Sequence, residues 1–404
     1  MRAWGSRRIG RRVGPVCGGI RVTEAVGERR ATWFELFCDL VFVAAVGQVV
    51  HRVGEQPTGG SVAGAAALFV PVWWTWVLYT VRANRFDPDD SAHRLITVVG
   101  MAAVAAMAVF VGGVGHGTGA NVGFVAGYLG ARGVIVFSYA WGARSDPSFR
   151  PILRSFGTMS TLTGSVWVLG LLVPGDSVRY GLWAVAMAGE LSLPFLARRR
   201  IAAASHDAEH LRERFGLFTI IVIGEAVLGC TGGLADGGRD AVSTGLIGLS
   251  AFALCACVWW MYFNASATRV GGHEEIATSA VLRDVYVFGH LPTQLGIAVT
   301  GAAIGTVVGG DDRHVSRATA ACLLGGIVLF LVAGAGVRAA FAGSRDATVW
   351  IRVGAAAMVS ALLPAAGVLP VAGLIGATAT ILVVTAAAEG PATRRRLAES
   401  AARG

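Results

Sequence analysis

The sequence predicts an all-α, polytopic integral membrane protein of about 12 transmembrane helices, arranged as two six-helix repeats with both termini cytoplasmic. Three observations carry that expectation. Hydrophobic residues fill 54% of the 404 positions and charged residues only 15%, which lies outside ordinary soluble composition. Apolar runs of about 20 residues, each enough to cross a hydrocarbon layer of about 30 Å as a helix, recur from Trp33 to the C-terminal tail. Arginines gather on alternate sides of those runs, as cytoplasmic loops require.

The runs are 33–53, 61–82, 92–112, 121–142, 156–173, 178–197, 212–232, 241–265, 284–304, 318–337, 348–363 and 367–388. The last two are separated only by a short turn, because Pro364 and Pro370 bracket it. All 34 basic residues are arginine, and 28 of them fall in the leader, the inner loops and span ends, or the tail. Arg52, Arg179, Arg239, Arg313 and Arg317 lie outside, and Arg132 alone sits deep within a span. A span count wrong by one early in the chain would invert the asymmetry downstream.

Residues 1–30 read as a basic, disordered cytoplasmic leader, 31–197 as the first repeat, 198–211 as a linker, 212–388 as the second repeat and 389–404 as a basic cytoplasmic tail. The linker belongs to the charged run RRRIAAASHDAEHLRER at 198–214. Arg7 and Arg8 do not form a twin-arginine signal, since no apolar segment follows before GERR at 27–30. The net charge of +9 points to anionic lipid headgroups rather than nucleic acid. Six cysteines, at 17, 38, 230, 255, 257 and 322, form no CxxC pair, so packing between helices explains them better than metal or disulfide chemistry.

The two halves echo each other. VGQVV at 46–50 answers IGEAV at 223–227, and WWTWVLY at 73–79 answers WWMYFNA at 259–265. An even number of helices per half makes such repeats parallel, and transporters commonly place their site between repeats. Glycines spaced as Gly123-xxx-Gly127 and Gly301-xxx-Gly305 put small residues on one helix face, where they allow close packing in lipid.

Ionisable groups within spans are costly and usually face a cavity or a partner. Counting about 1.5 Å per residue from the cytoplasmic end, Asp39, Glu190 and His290 lie roughly 9 to 11 Å deep. Arg132, Glu225 and Gln294 lie roughly 15 to 20 Å deep by the same measure. Glu35 and Asp39 share one helix face, and Glu35 also suits the positive end of a helix dipole. Arg132 is expected to neutralise a carboxylate, with Glu225 nearest in depth. His290 and Gln294 share a face, and Pro292 between them predicts a broken ninth helix. Each acid is either part of a solute or ion cavity or one half of a buried architectural pair. The loop residues Asn84, Arg85, Asp87, Asp89 and Asp90 either begin a helix or form a cytoplasmic gate with 198–214.

Taken together, WFELFCDLVFV at 33–43, WWTW at 73–76, NRFDPDD at 84–90, ERFGLFTIIVIGE at 213–225, WWMY at 259–262 and GHLP at 289–292 resemble the bacterial low temperature requirement A family. The similarity covers roughly residues 29 to 390. It implies a multi-pass protein of the bacterial cytoplasmic membrane; the family name records a growth requirement in the cold, not a chemistry. Cys38 stands where the family pattern has a second aromatic. FCDLVF at 37–42 also resembles the F-S-D signature of potassium-permeable channels built on six-helix units, with Cys38 in place of the serine.

These readings make the chain a secondary transporter or exchanger of an unknown small solute or ion, with membrane lipids as its other partners. The alternatives are a cation or proton channel, or a structural, lipid-interacting membrane protein. No GxSxG elbow or HExxH helix is present, so neither an enzyme nor a cofactor is expected.

Overall fold

The computed structural model describes residues 32–401 except 56, 87–89, 197–207, 237–239, 266–275, 277 and 311–312. Among those residues the chain forms twelve α-helices and no sheet. They are α1 (Trp33–Glu55), α2 (Gly59–Ala83), α3 (Ser91–Val111), α4 (Thr118–Ser145), α5 (Arg150–Leu172) and α6 (Asp176–Leu196) in the first half. The second half holds α7 (Ala208–Asp236), α8 (Ala241–Ala265), α9 (Ala280–Gly309), α10 (Arg317–Ala342), α11 (Ala347–Ser360) and α12 (Val371–Ala401).

Eleven of these segments among the described residues are long and apolar enough to cross a membrane, so the chain is a multi-pass membrane protein. The helix that falls short is α6. It has 21 residues, sufficient at about 1.5 Å each for a span, but Asp176, Arg179 and Glu190 lower its hydropathy. Two other differences concern ends. α7 begins at Ala208, so His210 and Arg214 of the charged run are helical. α12 continues to Ala401, through the segment read as tail.

Helix starts follow local capping chemistry. Asp90 caps α3 by accepting from the Ala92 amide at 3.2 Å, so the last aspartate of DPDD begins the helix. Thr58 and Ser61 form a reciprocal capping box on α2. At the start of α8, hydrogen bonds from the Ser243 and Val242 amides hold the exposed Asp240 carboxyl below the usual range.

The same helix pairs pack in each half: α1 with α2 and α3, α3 with α4, α4 with α5, α5 with α6, and correspondingly from α7 to α12. α9 is the central element, touching α1, α2, α7, α8 and α10. Pro292 lies inside it without a break, contrary to the expected interruption. Packing against five neighbours compensates for the amide bond that Pro292 removes, and Thr293 Oγ1 adds a side-chain bond to the Gly289 carbonyl at 2.8 Å in the same turn.

Glycine lets these backbones meet. A Cβ on Gly233 of α7 would lie 2.7 Å from the Gly305 carbonyl oxygen and 2.8 Å from the Gly309 nitrogen of α9. On Gly296 it would lie 2.6 Å from the Gly326 carbonyl oxygen of α10. Gly127 meets Ala103 and Met107 of α3 in the same way. In lipid, where apolar transfer supplies no drive between helices, this close contact is the main attraction. The apolar side chains left outside, such as Leu40, Leu95, Leu249 and Val384, therefore face acyl chains.

Gly296→Ala is expected to lower stability by about 1 to 3 kcal/mol through overpacking against α10 backbone. Gly336→Ala, where an added Cβ meets nothing within 4 Å, is expected to be neutral or slightly stabilising. Thermal denaturation of the two variants in detergent checks the contrast.

Candidate functional site

The first turn of α1 sets the site. Thr32 and Glu35 form a capping box: the Glu35 amide donates to Thr32 Oγ1 at 3.3 Å, and the Thr32 amide donates to Glu35 Oε2 at 2.7 Å. The same Glu35 oxygen meets His210 Nε2 of α7 at 3.3 Å, and His210 Nδ1 contacts Asn84 Oδ1 just beyond α2. Glu35 is therefore buried, at 5% exposure, and combines helix capping with a cross-helix bond.

One turn further on, Asp39 Oδ1 accepts from Arg214 Nη2 at 2.8 Å and from Trp76 Nε1 of α2 at 2.9 Å. Asp39 is 1% exposed and Arg214 3%. α1 and α7 run side by side in the same direction here, so Glu35 and Asp39 face His210 and Arg214 as two rungs of equal spacing. Asp39 Oδ2 and Arg214 Nε and Nη1 are buried and make no hydrogen bond among the described residues.

An aromatic layer links this pair to a second group. Trp76 stacks on Phe218 with ring centroids 4.2 Å apart and meets Phe215 edge-on at 4.8 Å. Phe215 meets His290 edge-on at 4.8 Å. His290 Nδ1 lies 2.6 Å from the Tyr286 carbonyl, which can only accept, so Nδ1 carries a proton. Nε2 then faces the Tyr262 hydroxyl of α8 at 2.8 Å. One turn along α9, Gln294 accepts from Trp73 Nε1 of α2 at 2.7 Å and donates to Thr219 of α7 at 3.0 Å.

Of the sequence-predicted residues, Glu35, Asp39, His290 and Gln294 thus converge at the centre of α1, α2, α7, α8 and α9. Glu190 does not. It lies between α4, α5 and α6, where Arg132, Tyr128 and Trp167 all contact its carboxylate and Arg132 also donates to Ser160 at 2.9 Å. Arg132 therefore neutralises Glu190 rather than Glu225, because α4 packs on α2, α3 and α5 and not on α7. Glu225 stands on α7 opposite Gly47 of α1. Of the loop residues, Asn84 contacts His210, Asp90 caps α3, and Arg85 is buried with its guanidinium 5.7 Å from the Tyr139 ring. Asp87 and Asp89 lie outside the described residues.

His210, Arg214, Thr219, Trp73, Trp76 and Tyr262 complete the site although sequence reasoning did not single them out as site residues. One signal was available: His210 and Arg214 stand four apart at the start of the first helix of their half, as Glu35 and Asp39 do in theirs. Among the described residues no group of three or more metal-ligating side chains converges.

Fold and site together define a multi-pass helical membrane protein with a buried polar seam between its halves. The model of the bacterial low temperature requirement A protein family matches residues 30–387, and the chain belongs to that family. It is also similar to RA0937, an uncharacterized protein of Rhizobium meliloti (strain 1021), with 26% identity over 318 residues, 76% of this chain and 77% of the relative. No solved structure gives a significant match.

Removing one partner of a buried ion pair strands the other charge, at a cost of about 3 to 5 kcal/mol. Asp39→Asn and Arg214→Gln are each expected to lose stability on that scale. The double variant should lose less than the sum, with a coupling energy of about 1 to 3 kcal/mol, measured by chemical unfolding of all four proteins in one detergent.

Proposed function

We propose that the chain is a secondary transporter or exchanger of the bacterial cytoplasmic membrane. In this reading α6 is the twelfth span, both termini are cytoplasmic, and α1–α6 and α7–α12 are parallel repeats that rock about the seam to expose it alternately. The observation that carries the reading is the Asp39–Arg214 pair. It is buried, it joins one half to the other, and one carboxylate oxygen and two guanidinium nitrogens of it have no hydrogen bond among the described residues. Polar groups left so within hydrocarbon are costly and mark solute or ion paths.

The neighbouring contacts support the same division. Glu35 to His210, Asn84 to His210, Trp73 to Gln294 and Thr306 to the Gly54 carbonyl at 3.1 Å all join the first half to the second. Side-chain bonds of this kind exchange for bonds to water or solute at little net loss. The repeated order of helix contacts supports two units of like construction. The cytoplasmic placement of the rungs rests on the arginine bias, which puts the beginnings of α1 and α7 inside.

Flux of protons and a panel of monovalent cations into proteoliposomes, under an imposed potential, tests the proposal. Saturable native flux that falls at least about tenfold in Asp39→Asn, with both proteins monodisperse and folded, supports it. Unitary currents that do not saturate would favour the channel reading. Absence of flux for every ion tested would shift the weight to the structural, lipid-interacting role.

A further inference from the structure

The two halves differ in one helix pair. In the second half α8 and α12 pack closely along their length, whereas the corresponding α2 and α6 barely touch. Near its C-terminal end α6 leans on α9, with Phe195 stacked on Phe288 at 5.0 Å and Phe288 stacked on Trp74 of α2 at 6.0 Å. Towards the other end the two helices separate. The gap encloses a cavity of about 680 Å³, inside the range of small-molecule sites.

Its walls are apolar, with Leu68 and Pro71 from α2, Phe124 from α4, Trp167 from α5, and Trp183 and Met187 from α6. Its mouth is different. Arg52, at the end of α1, and His116, in the α3–α4 loop, line it there. Arg52 is held firmly: its Nη1 donates to the carbonyls of Val111, Gly112 and Val114 at 3.2, 3.1 and 2.8 Å. That bond set caps α3 and fixes the guanidinium, while its Nε and Nη2 make no hydrogen bond among the described residues. Among the described residues no acid lines the cavity. Asp176 at the start of α6 pairs with Arg179, and Glu55 at the end of α1 with His51.

We propose that this cavity binds the hydrocarbon chain of an anionic membrane amphiphile, with its phosphate or carboxylate headgroup on Arg52 and His116. The geometry runs in the right sense. From the mouth at Tyr180 to Leu191 the cavity follows eleven residues of α6, or about 16 Å, along the helix towards the bilayer interior. The polar end lies where α1 and α3 finish, which is the outer leaflet under the topology proposed above. A chain in the gap replaces the helix-on-helix contact that α8 and α12 make directly, and a fixed guanidinium at the interface selects an anionic headgroup. The proposal does not depend on transport.

The test uses the full chain in nanodiscs and two photoreactive single-chain probes that differ only in headgroup. One is a lysophosphatidic acid and the other a lysophosphatidylcholine, each with a diazirine near the chain end, and adducts are mapped by peptide mass spectrometry. The expected adducts fall on α2 and α6 around Leu68, Pro71 and Met187, with about fivefold more from the phosphate monoester. Gly64 lines the cavity and an added Cβ there meets nothing within 4 Å, so Gly64→Trp should fill the space without disturbing the helix and lower labelling about tenfold. His116→Gln, an exposed change, should reduce the headgroup preference and leave the adduct positions unchanged; Arg52→Gln should do so more strongly if it folds. Adducts scattered over all lipid-facing helices and indifferent to Gly64→Trp would overturn the site. Equal labelling by the two probes in the native protein would overturn the anionic assignment.

Discussion

The centre of the molecule depends on a pair of charges held in hydrocarbon. An isolated Asp or Arg at that depth is strongly disfavoured, so Asp39 and Arg214 are tolerable only together, and their bond requires α1 and α7 to lie side by side. The i, i+4 repeat then does the rest. Because both helices run in the same direction with the same rise, Glu35 must meet His210 once Asp39 meets Arg214. Trp76 brings α2 to the same carboxylate, and Asn84 brings the end of α2 to the same histidine. α9 is held beside them by Gln294, which takes a hydrogen bond from α2 and gives one to α7.

This dependence explains which parts were legible in the sequence. Hydrophobic length and arginine placement act on one helix at a time, so they located the spans and the inward acids without knowledge of neighbours. Partner choice is a property of packing. Arg132 and Glu225 agree in depth, yet Arg132 turns to Glu190 because α4 has α5 and α6 beside it. His210 and Arg214 were hidden for another reason: the dense charge at 198–214 resembles a solvated linker, and only the helix beginning at Ala208 carries them into the bundle. Pro292 misled by its usual effect, since proline removes one bond and a helix gripped by five others absorbs the loss.

Likeness between the halves does not extend to their surroundings. Trp73 and Trp74 are buried, whereas Trp259 and Trp260, which answer them in sequence, are 44% and 51% exposed. Trp73 donates its indole N–H to Gln294 and Trp74 packs on Phe288; their counterparts turn outward, Trp259 packing on Trp260 and on Phe263. Trp76 answers Tyr262, and there the role persists, since each offers a hydrogen bond to a polar residue on another helix of the core, Asp39 or His290. A repeated motif thus keeps its inward polar member while its bulky members follow the local packing. The open α2–α6 gap and the closed α8–α12 contact express the same freedom on a larger scale.

The distribution of contact types bears on how such a molecule can move. Within the second half, α7, α9 and α10 touch backbone to backbone through Gly229, Gly233, Gly305, Gly296 and Gly326; in the first half Gly127 sets α4 on α3 likewise. Such contacts allow almost no sliding, because a small displacement either opens a void or drives atoms into overlap. Between the halves the bonds named above are made mainly by side chains, whose ends can rotate and exchange partners. The rocking proposed above would require this division, with close backbone contacts inside each half and exchangeable polar side chains between them. The Asp39–Arg214 pair, close to the beginnings of α1 and α7, is the buried ion pair of that surface whose bonding among the described residues is incomplete.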